Sequence, residues 1–346
     1  MLTRLLRPLL VAVAALAAVF PLPAAWLPQD AAVKQEPAAK PKLERPEHAF
    51  IWKIEKEGHK ASFLFGTMHV PDKRFLKFND TVKKAFKEAD AVYTEVNMEL
   101  LTDPATATKI QNLGMLESGS LEDLIPAESM EKLGRIVGDH YGLGVMVPQL
   151  KKMRPFMAAM TMEQLAVMKE YGVGKALDEQ IWNAAKKAGK EVGGVETLDE
   201  QFKALSILTD EEAAGELVDS IDRAAEDIEK GRVRIAELAE IYLSGNEAAM
   251  LKYAMEDFDP EDPIDVKFMK ALLDVRNVHM ADRSGKLMNE HPEKSYVFAF
   301  GALHMVGDNN VVQLLRDRGF QVTRLTAPPQ AKSKSVKAAP IFKPVR

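Results

Sequence analysis

Phe63-Leu64-Phe65-Gly66-Thr67-Met68-His69 and Phe298-Ala299-Phe300-Gly301-Ala302-Leu303-His304 are two copies of one phrase, near opposite ends of the folded region. Each reads as a buried strand that stops at a glycine and presents a histidine. The apolar run suits a strand covered on both faces, and the glycine permits a turn or a close approach that a side chain would obstruct. The imidazole then stands just past the strand's carboxyl end, which is where ligands bind in open α/β sheets. Two such histidines can converge on one site although they are far apart in the chain.

The parallel extends beyond each copy. After His69, residues Asp80 to Ala89 carry Val82, Ala85, Phe86 and Ala89 at helical spacing, and the apolar run Ala91 to Val96 reads as a strand. After His304, Asn309 or Asn310 can cap a helix bearing Val311, Val312, Leu314 and Leu315, Gly319 ends it, and Gln321 to Leu325 forms the next strand. The chain thus contains two related strand, G-x-x-H, helix, strand units. Aligned on this pattern, Glu95 of the first unit falls opposite Arg324 of the second, so only the first supplies a carboxylate there. Chance similarity between two ordinary units is the alternative reading of so short a phrase.

Further landmarks lie between and around the units: Arg154-Pro155, Gly194-Val195-Glu196-Thr197 with Gln201, and Arg276-Asn277-x-x-Met280. Together with L-F-G-T-M-H-V, the acidic strand containing Glu95, and the closing F-G-A-L-H, they resemble the TraB/GumN family, which includes the TIKI proteins. The resemblance runs in order from about residue 48 to 326. It implies a metal-dependent, peptidase-like α/β fold in which the two G-x-x-H histidines and a glutamate are essential, which here makes His69, His304 and Glu95 the candidate metal-site residues. Peptidase activity is associated with the TIKI branch of that family.

The chemistry of the residues points the same way. Two neutral imidazoles and a carboxylate, with a position left for water, suit Zn²⁺, Mn²⁺ or Co²⁺. Glu95 is either ligand or general base, since both roles require it within a few ångströms of the ion. Glu196 comes after a short strand and precedes a helix start, so it is a second acid in the site or a helix-start residue favoured by the macrodipole. Arg276, among Leu272, Leu273, Val275 and Met280, is expected to pair with a carboxylate, with transition-state stabilisation as its catalytic alternative. Asp178 is expected to cap a helix or contact substrate.

Composition fits an exported globular protein. Arg4 and Arg7 precede an apolar stretch from Leu9 to Phe20, and Pro21-Leu22-Pro23-Ala24-Ala25 offers a cleavage site, so residues 1–25 read as a signal peptide. That stretch is shorter than the ~20 residues a spanning helix needs, so no stable membrane anchor is expected after cleavage. The expected location is periplasmic or secreted. Residues 26–47 read as a disordered linker and residues 327–346 as a disordered basic tail carrying Lys332, Lys334, Lys337, Lys343 and Arg346 without one acid.

There are 0 cysteines, which excludes disulfides, thiolate catalysis and thiolate metal sites. Loss of the leader takes away two arginines and no acid, leaving 44 basic against 51 acidic residues and a formal charge of −7 rather than −5. That argues against a nucleic-acid partner. Gly172 to Ala176 lacks the spacing of a phosphate loop, and no H-E-x-x-H is present. Asp257, Asp259, Glu261 and Asp262 have their calcium-loop spacing broken by prolines. Met153, Met157, Met160, Met162 and Met168 read as adaptable core.

The fold expected is α/β, with a central mixed sheet built from the two units over residues 48–326. A hairpin turning at Glu57-Gly58-His59 leads into it. A large helical insertion, about 120–290, is expected to pack over one edge, with helices at Met160–Glu170, Asp178–Ala188, Glu200–Ile207, Asp210–Glu229, Arg232–Leu243 and Ile264–Met288 and a short strand from Glu191 to Val195. These features suit two functional classes. The first is an exported metal-dependent hydrolase, a peptidase acting on a peptide or protein substrate; the second is a non-catalytic metal- or ligand-binding envelope protein.

Overall fold

A computed structural model describes residues 48–326. The leader, the linker and the basic tail therefore lie outside the described residues. Six strands form one mixed sheet: β1 (Ile51–Glu55), β2 (Ser62–Thr67), β3 (Ala91–Thr94), β4 (Glu191–Gly194), β5 (Tyr296–Gly301) and β6 (Gln321–Arg324). Their spatial order is β4-β3-β5-β2-β1-β6. β1 pairs antiparallel with β2 and β6, while β2, β5, β3 and β4 pair parallel, so β1 alone runs against the rest.

The two glycine-histidine phrases lie side by side at the sheet's centre. Every residue of β2 and of β5 is buried, as their uninterrupted apolar runs require of strands covered on both faces. The edge strands β4 and β6 instead carry exposed residues. The parallel register sets Gly66 opposite Phe300 and Thr67 opposite Gly301, so the phrases are staggered by one residue. The units also interleave. From β2 the chain passes through the helix Asp80–Glu88 and lands as β3 on the far side of β5; from β5 it passes through Val311–Asp317 and lands as β6 beyond β1.

The expected hairpin is present, with Gly58 at φ +75° in its turn. Most expected helices appear within a few residues of their predicted ends, with longer bounds for Pro155–Tyr171. Three differences have physical causes. Pro104–Gly114 is a helix ahead of the expected insertion, capped by Asp103, and its polar, largely exposed residues give little apolar periodicity to read. The long helix expected over Ile264–Met288 contains a π-helical stretch, Lys270–Val275, between α-helices Pro263–Met269 and Arg276–Glu290. The insertion does more than cover an edge: β4 belongs to the sheet, and Leu177, Ile181, Met280 and Ala281 pack in the core around the sheet. A second core, mostly helical, gathers Leu121, Leu133, Met160, Leu217, Ile221 and Phe268. Met153, Met160 and Met162 are buried there, as adaptable core.

Candidate functional site

The parallel strands deliver the residues beyond them to one end of the sheet. His69 comes two residues after β2, Glu95 directly after β3, Glu196 two residues after β4, and His304 in a short 3-10 turn, Ala302–Met305, after β5. The Glu196 N–H donates to the Glu95 carbonyl at 2.7 Å, tying the two acidic strand ends together. Thr197 and Glu200 form a capping box that starts the helix Leu198–Leu205 and points Gln201 inward. The π-helical stretch ends at Val275, so Arg276 and Asn277 open the last long helix facing the same place.

Every residue singled out for the site is brought together here. His69 Nε2 lies 3.8 Å and His304 Nε2 3.7 Å from the same oxygen, Glu95 Oε1. Both separations are too long for hydrogen bonds. Glu95 Oε1 accepts from the Gly301 N–H at 2.7 Å, and Oε2 accepts from Arg276 Nη2 at 2.6 Å and Gln201 Nε2 at 3.0 Å. Arg276 also donates to Glu196, from Nη2 at 2.8 Å and from Nε at 3.2 Å. It thus takes the carboxylate pairing expected of a buried arginine, and it takes two. Glu196 meets the site through Arg276 and Gln201 rather than through an imidazole.

The far side of each ring has a different partner. His69 Nδ1 lies 3.0 Å from Asp178 Oδ1, an ion-pair contact rather than an aligned hydrogen bond. His304 Nδ1 bonds Asn277 Oδ1 at 2.7 Å, and Asn277 Nδ2 donates to the Asn309 carbonyl at 3.0 Å. Asn309 holds φ +53°, in the left-handed region that Asn tolerates. Asp178 is therefore not the helix cap expected of it. The helix begins at Leu177 after Ala176, with no side-chain cap, and the Asp178 carboxylate turns inward, 2 % exposed.

Electrostatics separate the two histidines. Burial pushes the His69 imidazole down, but Asp178 and Glu95 outweigh it and raise it to about 10. Burial pushes His304 down to about 3, with Arg276 adding to the effect against Glu95. Burial would raise Glu95, yet Arg276 and the two histidines hold it well below the usual carboxylate range. Glu196 is shifted up by burial against the pull of Arg276.

Gly301 sits where the three groups meet. A Cβ there would lie 3.2 Å from Glu95 Oε1, 3.6 Å from His69 Nε2 and 3.7 Å from His304 Cδ2. His69 Nε2 is buried without a hydrogen-bond partner, as are the Thr67 hydroxyl and Gln201 Oε1. Donors bound to one tetrahedral ion at about 2.0–2.2 Å stand roughly 3.4 Å apart, a few tenths of an ångström closer than the two histidines stand to Glu95 Oε1. As they stand, among the described residues no group of three or more His, Cys, Asp or Glu side chains is placed to hold a metal ion. The donor chemistry, the unpartnered Nε2 and the glycine at the meeting point fit a divalent ion.

Sequence reading missed the roles of Asp178, Gln201 and Asn277. Gln201 and Asn277 stood in the family-like stretches without a role, and Asp178 read as a helix cap or a substrate contact rather than as a partner of His69. Arg154 lies outside the site and pairs with Asp210 at 2.8 Å. From His69 a cavity of about 450 Å³ opens between the turn Met98–Thr102 and the helices Pro155–Tyr171 and Leu177–Lys187.

A two-histidine, one-glutamate cluster at the carboxyl edge of a mixed α/β sheet defines the class of site. The chain belongs to the TraB/PrgY/gumN family, whose model matches residues 50–324. It is 27% identical over 329 residues to a Xenopus tropicalis protein named metalloprotease TIKI2, covering 83% of this chain and 62% of that protein. It is 28% identical over 337 residues to human metalloprotease TIKI1, covering 84% and 65% respectively. The chain thus spans less than two thirds of the length of these TIKI relatives. A Shigella flexneri protein, the uncharacterized YbaP, is 25% identical over 269 residues, covering 76% of this chain and 90% of that one. No solved structure matches the chain significantly. Among the described residues no helix is long and apolar enough to cross a membrane.

Proposed function

We propose that this protein is an exported metal-dependent hydrolase, a peptidase acting in the periplasm or outside the cell. His69 and His304 would hold a divalent cation through Nε2, with Glu95 as ligand or general base. One observation carries the reading: both Nε2 atoms face a single oxygen of Glu95, at 3.8 and 3.7 Å, in a buried pocket. The names of the TIKI relatives support it. A bound Zn²⁺, Mn²⁺ or Co²⁺ would supply Lewis acidity and a lowered pKa for water.

The chain's own groups prepare the site. Asp178 and Asn277 fix the two rings from behind, so that each Nε2 faces inward. Arg276 and Gln201 hold Glu95 Oε2, which leaves Oε1 turned toward the rings. Glu196 acts as a positioning residue, sharing Arg276 and Gln201 with Glu95.

The test is elemental analysis of the purified protein, then a peptide-library digest with and without chelator. Chelator-sensitive cleavage is expected. Glu95→Gln then separates the two roles: a general base would lose roughly two to four orders of magnitude in rate and keep the ion, whereas a ligand would lose the ion too. A second reading, a non-catalytic metal- or ligand-binding envelope protein, draws on burial: His69, Glu95 and His304 are only 2 %, 4 % and 4 % exposed. Stoichiometric metal with no cleavage across a diverse library would favour it and overturn the peptidase.

A further inference from the structure

We propose that the cavity beside His69 is a subsite for a bulky apolar side chain of the substrate, next to the bond that is cut. The proposal rests on the hydrolase reading and deepens it. The cavity measures about 450 Å³, within the range of about 300–1,000 Å³ typical of ligand pockets. His69 lines it directly, so an occupant lies beside the reacting centre.

Pro71, Met98, Val167, Met168 and Trp182 make its apolar wall, and the uncharged side chains of Thr102, Gln164 and Asn183 also line it. Met98, Val167 and Trp182 are buried, 6 %, 7 % and 2 % exposed, and form the floor. Two methionines give that wall a deformable surface, suited to leucine, methionine or phenylalanine rather than to a single shape. Asp178, the partner of His69, and Trp182 stand four residues apart on one helix, hence on one face of it. That spacing sets the apolar wall one helical turn from the group that fixes the catalytic ring.

Charge is confined to the mouth and is neutralised there. Lys186 pairs with Glu99 across the opening, and Lys175, just ahead of the helix Leu177–Lys187, pairs with Glu179 in its first turn. The lysines are 60 % and 61 % exposed at the side chain, so these pairs add little stability and do not lock the mouth. Apart from His69, the buried lining offers no charged partner, so a basic side chain would be desolvated without compensation. Burial of an apolar side chain should be favoured over alanine on the order of 10- to 100-fold.

The experiment titrates the full-length protein with N-acetyl-phenylalaninamide and N-acetyl-methioninamide, and with the alanyl and aspartyl amides as controls, while following tryptophan fluorescence. A saturable change is expected with the first two only, and Trp182→Phe should abolish it while the other tryptophans remain. Met168→Phe, checked for an unchanged melting temperature, should weaken the phenylalanyl probe about tenfold by filling the space. No saturable response, or an equal response to the aspartyl amide, overturns the subsite. Cleavage of a peptide library without apolar preference also overturns it and leaves the hydrolase standing. Apolar probes that bind while nothing is cleaved overturn the hydrolase, and with it the subsite's place beside a cut bond, and leave an apolar side-chain pocket.

Discussion

The two glycine-histidine units start from nearly the same phrase and end in different chemistry. Gly66 is required by packing: a Cβ would lie 2.6 Å from Phe50 Cβ and 3.2 Å from Ala302 Cα. Gly301 is required by the site, where a Cβ would face Glu95 and both imidazoles. His69 is backed by the carboxylate of Asp178, and His304 by the neutral amide of Asn277. In the first unit the chain leads on to Glu95 inside the sheet. In the second it leads to Arg324 on the edge strand, whose guanidinium lies 4.9 Å from the ring centres of both Phe50 and Trp52 and donates to the Gly245 carbonyl. A repeated phrase therefore fixes where a side chain stands, while its neighbours decide what that side chain can do.

The largest effect should come from breaking the pair. His69→Ala and His304→Ala are each expected to lose both the ion and chelator-sensitive hydrolysis, because a site of few ligands does not survive the loss of one. Elemental analysis of each variant checks this; an ion kept at full stoichiometry by either one would mean that the histidines are not co-ligands. Asp178→Asn makes the two ring partners alike in charge. Metal affinity is expected to fall about 10- to 100-fold, and unchanged affinity in a metal titration would mean that Asp178 only fills space behind His69.

The glycines should separate stability from function. Gly66→Ala is expected to cost about 1–3 kcal/mol through overpacking, seen as a lower melting temperature by calorimetry. Gly301→Ala should melt close to the wild type and lose the ion instead. A reversal of the two phenotypes would overturn the assignment of packing to one glycine and site to the other. The smallest effect is expected at the edge: Arg324→Ala should lose about 0.5–2 kcal/mol of cation–π stabilisation and leave hydrolysis unchanged, in contrast to Glu95→Gln at the aligned position.

Much of this site was legible in the chain itself. His69, His304 and Glu95 each come just after a short, strongly apolar strand, and local pattern is enough to place a residue at a strand's end. Glu196 was legible as far as its strand end, but its partner was not. Asp178 illustrates the limit: its position at a helix start matches a cap, and only the packing of that helix against β3 and β4 turns the carboxylate toward His69. The helix Pro104–Gly114 escaped for a different reason, since a mostly exposed helix need not carry an apolar face.

The sequence by itself determined the elements with local causes: buried strands from apolar runs, turns from glycine, helix starts from Asn310 and Thr197, and two histidines beyond two strands. Tertiary structure decided the order β3-β5-β2, which sets Glu95 against the Gly301 N–H and between both imidazoles. It also decided that one arginine would hold two glutamates, and that one histidine would back onto an acid and the other onto an amide. These choices depend on contacts between residues distant in the chain, and a pattern that repeats every two or four residues carries no record of which strand will lie beside which.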